Sequence, residues 1–210
     1  ITNGFIFSGI YNSNSSVNNF NEFNMSERIT KEINPSYGSI QRLKARDTDL
    51  ITFAEDKVLK VLANKDALFN ADGNANLTAS SKVLGQVVPY VGDYGISKDP
   101  ASLAVDQLRM YFTDKQRGAV LRLSRDGITP ISNIGMRNYF RDNLNKCDDI
   151  LGSYDTVSGE YNLTLKFQPV FQQSDVTISF NEASKGWISF KSFIPDTALS
   201  MNSNYFSSFS

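Results

Sequence analysis

Hydrophobic and polar residues alternate along short segments of this chain, and the segments come in pairs joined by polar turns. The segment "LITFAEDKVLKVLA" (residues 50–63) alternates on both sides of Glu55 and Asp56. A period of two is typical of a strand with one buried face, and a short polar interruption between two such runs is typical of a hairpin. The pattern therefore predicts a β-hairpin whose turn lies at this acidic pair.

The same pattern continues through "RMYFTDKQRGAVLRLSRDGITPIS" (residues 109–132), where two charged turns separate three apolar runs. We predict three adjacent antiparallel strands, at residues 111–113, 119–124 and 128–132. Their turns, at residues 115–118 and 125–127, are expected to face solvent or a neighbouring subunit. Mixed charges at such tips keep exposed sheet edges soluble and discourage wrong pairing. The charged residues are Asp114, Lys115, Arg117, Arg125 and Asp126.

Residues 150–167 and 176–193 follow the same plan, with turns at residues 158–159 and 185–186. Each unit has an aromatic residue, then Asp, Glu or Asn within three residues, a polar turn and an outgoing apolar strand. The pairs are Phe53 with Glu55, Phe112 with Asp114, Tyr154 with Asp155, and Phe180 with Asn181. Repeated meanders are typical of β-propeller blades, and a β-sandwich is the alternative. We predict a mainly β, antiparallel, β-propeller-like domain over residues 39–200, complete or incomplete.

Two short helices are expected to interrupt the strands. Asp99 as N-cap and Pro100 at the first helical position predict one in "DPASLAVDQ". In "NIGMRNYFRDNL", with Asn133 as the candidate cap, helical spacing puts four apolar side chains on one face that should pack into the core. These are Met136, Tyr139, Phe140 and Leu144.

The two ends of the chain differ from the middle. Residues 1–38 are rich in Asn and Ser and show no lasting period. Because the segment is so polar, it would bury too little apolar surface to offset the loss of backbone entropy on folding. We therefore expect an arm or long loop that becomes ordered on a partner. Residues 201–210 are expected to start a further strand. Because the chain lacks an initiator Met and stops within that strand, we expect a piece of a longer protein.

Composition narrows the possible functions. The formal net charge of -1 lacks the excess of Lys and Arg that nucleic-acid-binding proteins carry, and no run of about 20 apolar residues predicts membrane insertion. The absence of histidine excludes Ser-His-Asp, Cys-His and His-rich zinc sites, and leaves carboxylate, Lys, Tyr or calcium chemistry. Cys147 is the single cysteine, so there is no internal disulfide, and we expect a passive thiol.

The best candidate for an ion site is the Asx-rich segment of residues 64–80. Asp72, Asn74 and Asn76 offer oxygens around Gly73, but the acidic first position and the bidentate Glu of a calcium loop are not in register, so an Asx-rich turn is favoured. Carboxylate clusters at residues 46–49 and 147–150 are interpreted as solvated turn acids. The sequons at Asn14, Asn24, Asn76 and Asn162 are expected by chance in so Asn-rich a chain. We predict no catalytic, cofactor or metal residues and no enzyme.

The segment "VLGQVVPYVGDYGIS" (residues 83–97) is apolar, punctuated by Gly and almost free of charge. Exposed on a surface, it would be an adhesive patch. Two interpretations are open. It is buried against another subunit or another part of the parent chain, or it is an ordinary core strand with Pro89 at an edge.

Several longer phrases resemble a known family. They are "KVLGQVVPYVGDYGISKDPAS", "YFTDKQRGAVLRLSRDGITPIS", "MRNYFRDNL", "GSYDTVSGEYNLTL" and "SKGWISFKSFIP". They are similar to the β-propeller-like portion of the tail muzzle, or nozzle, proteins of crAss-like and related short-tailed bacteriophages. The resemblance runs from about Asp47 to the end and does not include the residues before Gly38.

The resemblance implies a structural virion protein of the tail, present in several copies and bound to other tail proteins around the channel through which DNA leaves. It offers no catalytic residues, and it implies only non-specific proximity to DNA. A ring needs large lateral interfaces, which apolar segments such as residues 83–97 and 205–206 would supply. Two other hypotheses are a tail-fibre module that stacks exposed Tyr and Trp187 on glycans, and a propeller lactonase or glycosidase with calcium near Asp72.

Overall fold

The computed structural model describes residues 2–9, 11–12, 15–23, 29–47, 49–69, 75–107 and 109–209. The chain forms two compact units, residues 1–90 and residues 91–210. Every strand pairing in the described residues is antiparallel, which confirms the predicted mainly β, antiparallel class. None of the described helices is long and apolar enough to cross a bilayer.

Among its described residues, the first unit contains two small strand pairs and one four-stranded sheet. Its strands are β1 (Gly4–Ile6), β2 (Tyr11–Asn12), β3 (Val17–Asn18), β4 (Thr30–Glu32), β5 (Ile40–Arg46), β6 (Asp49–Ala54), β7 (Val58–Phe69) and β8 (Ala75–Pro89). β1 pairs with β4 and β2 with β3, while β5 to β8 form a sheet in chain order that we call the first meander. The β6–β7 turn includes Glu55 and Asp56, so the predicted hairpin is confirmed.

The segment predicted as an arm contacts the first meander at its C-terminal part. Ile33 is buried and packs with Ala54 and Leu59. After Ile33 the chain enters a 3-10 turn at Pro35–Tyr37, where Asn34 accepts a hydrogen bond from the Ser36 amide. Burial of Ile33 thus fixes the chain just before β5. The predicted domain boundary after residue 38 stays a prediction.

The second unit contains two four-stranded sheets and a terminal hairpin. Its strands are β9 (Ala104–Asp106), β10 (Arg109–Asp114), β11 (Ala119–Ser124), β12 (Gly127–Pro130), β13 (Cys147–Asp155), β14 (Glu160–Phe167), β15 (Val176–Asn181), β16 (Gly186–Lys191), β17 (Thr197–Met201) and β18 (Asn204–Ser208). We call β9 to β12 the second meander and β13 to β16 the third meander, because each sheet follows chain order. β17 pairs with β18 as a hairpin, and the expectation of a strand that continues beyond residue 210 stays a prediction.

The second meander confirms the three adjacent strands predicted there and adds β9 at its edge. The predicted third strand is shorter than expected, because β12 ends at Pro130 and the chain continues as a 3-10 turn, Ile131–Asn133. Proline has no amide hydrogen to extend the ladder, which is tolerated here on an edge strand.

The second predicted helix is confirmed, whereas the first is wrong beyond a single turn, because Ala104–Asp106 of that segment form β9. The segment after Asp99 is a single 3-10 turn, Pro100–Ser102, and the Asp99 side chain makes no capping hydrogen bond there. The second helix, α1 (Arg137–Asn143), is followed by a 3-10 turn at Leu144–Lys146. Its N-cap is Met136, so the prediction of Asn133 as cap is wrong, since that residue ends the preceding 3-10 turn. The predicted apolar face is confirmed: Phe140 and Leu144 are fully buried.

The core of the second unit lies between the second and third meanders. Strand alternation gives the third meander one apolar face, along which register aligns Tyr154, Tyr161, Phe180 and Trp187 across four strands. This row joins Tyr111 of β10 and Phe140 of α1 in one cluster. An extra residue at Ile188 shifts the register of β16, so that Trp187 and Phe190 both pair on the same face.

The opposite face of the third meander is polar yet buried. There the Ser179 hydroxyl donates to the Asn162 side chain at 2.5 Å, and the hydroxyls of Thr164 and Thr177 lie 2.9 Å apart. Asn162 is 2% exposed, so this sequon is inaccessible in the folded chain. The β17–β18 hairpin lies on this side, because the Tyr205 and Ser153 hydroxyls are 2.8 Å apart.

Residues 83–97 combine a strand with a loop. β8 takes up residues as far as Pro89 and is an edge strand of the first meander, with Pro89 exposed. Within residues 83–89 only Gly85 is buried, so the core-strand interpretation is wrong about burial. After that strand, Val91 is 93% exposed while Ile96 and Ser97 are buried in the second unit. Burial of this segment against another subunit stays a prediction.

Candidate functional site

A polar cluster joins the second and third meanders at Glu182, in the turn after β15. Its carboxylate accepts hydrogen bonds from the Tyr111 hydroxyl at 2.8 Å and from Arg122 Nη1 at 2.9 and 3.2 Å. The Arg109 guanidinium forms a longer ion pair with the same carboxylate, at 3.9 Å. Both carboxylate oxygens are therefore engaged by donors from the second meander, and the cluster ties two sheets together.

Three tyrosines stack beside this carboxylate. The Tyr111 ring lies 4.9 Å from that of Tyr161 and 5.6 Å from that of Tyr154, at interplanar angles of 15° and 12°. Burial is the main cause that raises the pKa of Tyr111 and of Tyr161 well above the usual tyrosine range, and it raises the pKa of Tyr154 to about 12. The three phenols remain protonated at neutral pH, so they act as hydrogen-bond donors and not as bases.

An open pocket of about 340 Å³ borders the cluster at the β9–β10 and β11–β12 turns. Its charged lining residues are Asp106, Arg109, Arg122, Arg125 and Asp126. Arg125 and Asp126 are exposed, as predicted for this turn. Three guanidinium groups and two carboxylates line the pocket, so it offers both donors and acceptors.

The other charged turn does not behave as its sequence predicted. Asp114 was grouped with solvent-facing charges, but its side chain is fully buried. It accepts hydrogen bonds from the Gly95 amide, the Ser97 hydroxyl, the Arg117 amide and Arg117 Nη1, at 2.9 to 3.1 Å. The expectation is wrong for Asp114, because a loop distant in sequence supplies two of these four donors, Gly95 and Ser97, and helps to enclose the carboxylate.

Neighbouring elements also constrain the rest of this turn. Lys115 donates from Nζ to the Cys147 carbonyl oxygen at 2.8 Å, which links the turn to β13. Gly118 is buried against α1, where an added Cβ would lie 2.6 Å from Arg141 Cα. Only Gln116 and Arg117 are exposed in this turn. The turn is thus a junction of three elements more than a free tip.

The remaining sequence candidates are not assembled into a site. Asp47 is exposed in a turn, as expected. The expectation of solvated turn acids is wrong for Asp49, which is half-buried at the start of β6, and Asp148 and Asp149 are exposed but lie on β13. Among the described residues, no group of three or more His, Cys, Asp or Glu side chains could hold a metal ion. The predicted loop around Asp72 and the sequons at Asn14 and Asn24 lie outside the described residues, as does the side chain of Asn76.

Trp187 is a packing residue. Its indole Nε1 donates to the Ile131 carbonyl oxygen at 3.1 Å, and its ring lies 4.7 Å from the Phe140 ring and 5.3 Å from the Phe180 ring. The ring that the glycan hypothesis needs at the surface is therefore engaged in the core. The Trp187 side chain is only partly buried, and the glycan hypothesis stays a prediction.

Cys147 is buried at the start of β13, beside the core cluster. Burial is the main cause that raises the pKa of its thiol to about 12, against which nearby Lys115 acts more weakly. The thiolate is the reactive form, so the folded chain should react with thiol reagents roughly a thousandfold more slowly at pH 8 than an ordinary cysteine. We expect slow maleimide labelling of the native protein, with a rate that rises with pH.

The matched control for this labelling is the same protein in denaturant, where Cys147 should react within minutes. Equal rates in both states would contradict a buried, protonated thiol. From the sequence, we predicted a passive thiol because acidic residues neighbour Cys147. In the structure, the raised pKa of the thiol is caused chiefly by burial.

A second candidate surface is apolar, and the sequence reasoning did not single out most of it. On one face of the β17–β18 hairpin, Leu199, Met201 and Phe206 are 52%, 57% and 49% exposed. The signal for it was present in the strict alternation of "TALSM".

Neither models of known protein families nor curated protein sequences match this chain.

Proposed function

We propose that this chain is a structural subunit of a bacteriophage tail, in which its meanders are β-propeller-like blades of a nozzle that forms part of the DNA-ejection channel. The observation that carries the proposal is the succession of three four-stranded antiparallel meanders, each in chain order. A blade of a propeller is a sheet of this kind, and adjacent blades bury their faces against each other. In support of this arrangement, the Tyr111 and Tyr161 rings stack between the second and third meanders, 4.9 Å apart.

The polar cluster at Glu182 fits a structural function. Its carboxylate is 13% exposed and joins two sheets through Tyr111 and Arg122. Buried hydrogen-bonded pairs of this kind fix one arrangement of the elements that they join. A subunit that surrounds a channel under load would benefit from such a fixed junction.

The near-neutral charge fits passage of DNA. Each phosphate contact from Lys or Arg adds salt-dependent affinity, which would retard a moving duplex. The formal net charge of -1 supplies no such general attraction. The chain would therefore lie near DNA without holding it.

The test is assembly and location. We expect the purified chain to form oligomers at micromolar concentration in sedimentation velocity, with little dependence on salt because apolar contacts are not screened. We also expect its peptides in virions of the phage that encodes it, by mass spectrometry. A chain that stays monomeric at the highest attainable concentration and is absent from virions would overturn the proposal.

A further inference from the structure

A second pocket, of about 520 Å³, lies within the second unit. It is lined by residues of α1, the β10–β11 turn, the 3-10 turn before α1 and the loop that follows β8. Sites for small ligands commonly enclose about 300 to 1,000 Å³, so this pocket has the volume of such a site. Its charged lining residues are Asp93, Arg117, Arg137 and Arg141. We call it the arginine pocket.

Backbone packing brings the three arginines together. Arg137 and Arg141 are four residues apart along α1, a spacing that places two side chains on the same face of a helix. A Cβ on Gly118 would lie 2.6 Å from Arg141 Cα, so the β10–β11 turn lies directly against that helix. Arg117 precedes Gly118 in the turn and lines the same pocket. The convergence therefore depends on Gly118, which leaves no side chain between the two elements.

The carboxylates of the chain compensate these arginines only in part. Arg117 Nη1 donates to Asp114 at 2.9 Å, and Arg141 Nε donates to Asp142 at 2.8 Å. Arg137 is exposed and has no carboxylate partner among the described residues. Like charges four residues apart destabilise a helix. Arg137 and Arg141 therefore oppose the folding of α1 unless an anion lies beside them.

The charge of the pocket fits a dianion. Three guanidinium groups and one carboxylate line it, while Asp114 and Asp142 offset part of the excess without lining the pocket. A phosphate monoester carries a charge of about −1.5 to −2 at pH 7 and offers three strong acceptor oxygens. Guanidinium groups bind such oxygens in pairs, because their planar N–H groups match the spacing. A carboxylate ligand has one charge and two oxygens, so it would satisfy fewer of these donors.

We infer that the arginine pocket binds the phosphate group of a small phosphomonoester. Arg137 is the principal ligand, because its charge is otherwise uncompensated, and Arg117 and Arg141 flank it. Ser132 and Asn133 line the same pocket and offer uncharged donors. The volume leaves room for the group that carries the phosphate. A tail subunit needs no such ligand, so the inference goes beyond the proposed function and does not depend on it.

Nuclear magnetic resonance titration of the full, isotope-labelled chain tests the site. The probes are inorganic phosphate and adenosine monophosphate, added in a buffer without other oxyanions. We expect both to cause saturable shifts of the Gly118 and Asn133 amide resonances, which border the pocket. The Gly159 amide, in the β13–β14 turn outside the pocket, should not move. Titration curves without saturable shifts at Gly118 and Asn133 would overturn the inference.

Two compounds matched to adenosine monophosphate separate the phosphate from the rest of the molecule. Adenosine lacks the phosphate and should cause no shift. Cyclic adenosine monophosphate is a diester with a single negative charge, so we expect it to bind at least about tenfold more weakly. Binding of either compound as tight as that of adenosine monophosphate would show that the pocket does not recognise a monoester. Equally tight binding per phosphate of a short DNA duplex without terminal phosphates would indicate the DNA backbone instead and would also overturn the inference.

Substitution of Arg137 tests the assigned role. In Arg137→Ala we expect inorganic phosphate to bind about tenfold more weakly. Alanine is the most favourable residue in a helix, so α1 should be retained. Lys185→Ala is the matched control, because it removes one positive charge from an exposed turn outside the pocket and should leave the affinity unchanged. Unchanged affinity in Arg137→Ala, or an equal loss in both variants, would contradict a site at Arg137. Assembly and presence in virions are independent of these outcomes, so the proposed function is tested separately.

Discussion

Replacement of Gly152 by alanine is expected to destabilise the second unit by about 3 kcal/mol and to lower its melting temperature by about 10 °C. Gly152 lies in β13, and a Cβ at this position would lie 2.0 Å from the Ser102 carbonyl oxygen. The clash is with backbone, so it cannot be relieved by rotation of a side chain. The 3-10 turn at Pro100–Ser102 would have to move away from the third meander.

The movement would also disturb a neighbouring hydrogen bond. The Tyr161 hydroxyl donates to the same Ser102 oxygen at 3.0 Å, and Tyr161 stacks on Tyr111. Loss of the close approach therefore weakens the junction between the two sheets. Near-ultraviolet circular dichroism, which reports on tyrosine packing, should change together with the melting temperature.

Gly186→Ala is the matched control for this substitution. Gly186 also lies in the third meander, and its Cβ would meet the Ser184 oxygen at 3.8 Å, an ordinary contact. We expect a change within about 0.5 kcal/mol. If both alanine variants melted at the same temperature, the tight packing of β13 on the turn before β9 would be refuted.

Asp114→Asn is expected to destabilise the second unit by about 3 kcal/mol, although it changes one atom. Each carboxylate oxygen accepts two hydrogen bonds, Oδ1 from Ser97 and the Arg117 amide, and Oδ2 from Gly95 and the Arg117 guanidinium. An amide replaces one oxygen with a donor, so two donors lose their acceptor whichever way it is turned. Arg117 also loses its negative partner.

The readout is thermal unfolding together with amide hydrogen exchange at Gly95 and Arg117, whose amides bond to the carboxylate. Exchange at both should accelerate in Asp114→Asn. Asp126→Asn is the matched control, because Asp126 lies in the exposed turn of the same meander, and it should change stability by less than about 0.5 kcal/mol. Equal melting temperatures for the two variants would contradict a buried, hydrogen-bonded Asp114 and would indicate a solvated turn acid instead.

Local pattern was sufficient for much of the secondary structure. Alternation and turn residues located the hairpins around Glu55 and Asp56 and the strands on either side of residues 115–118, because these features depend on neighbours in the sequence. The helical face of Phe140 and Leu144 was likewise legible from spacing. The N-cap of this helix could not be predicted from spacing. The residues before the helix form a separate 3-10 turn, and Met136 is the N-cap.

The candidate site could not be predicted in the same way. Glu182 is 71 residues from Tyr111 and 60 from Arg122, and each was indistinguishable from a turn acid, a strand aromatic or a strand cation. Asp114 was assigned to the surface because its turn is charged. Its burial depends on Gly95 and Ser97. The alternation of polar and apolar residues within β10 and β11 carries no information about contacts with those two residues.

The sequence by itself determined a histidine-free chain of paired, alternating strands, with their turns and the order in which the strands follow one another. Each of these properties is local or compositional, so it needs no knowledge of what packs where. The tertiary structure decided which charges are buried, which aromatic residues stack, and which face of β17 and β18 is left uncovered. Those outcomes depend on contacts between residues far apart along the chain. Asp126 and Asp114 are both aspartates beside charged turns, yet Asp126 is exposed to solvent whereas Asp114 is enclosed by four hydrogen-bond donors.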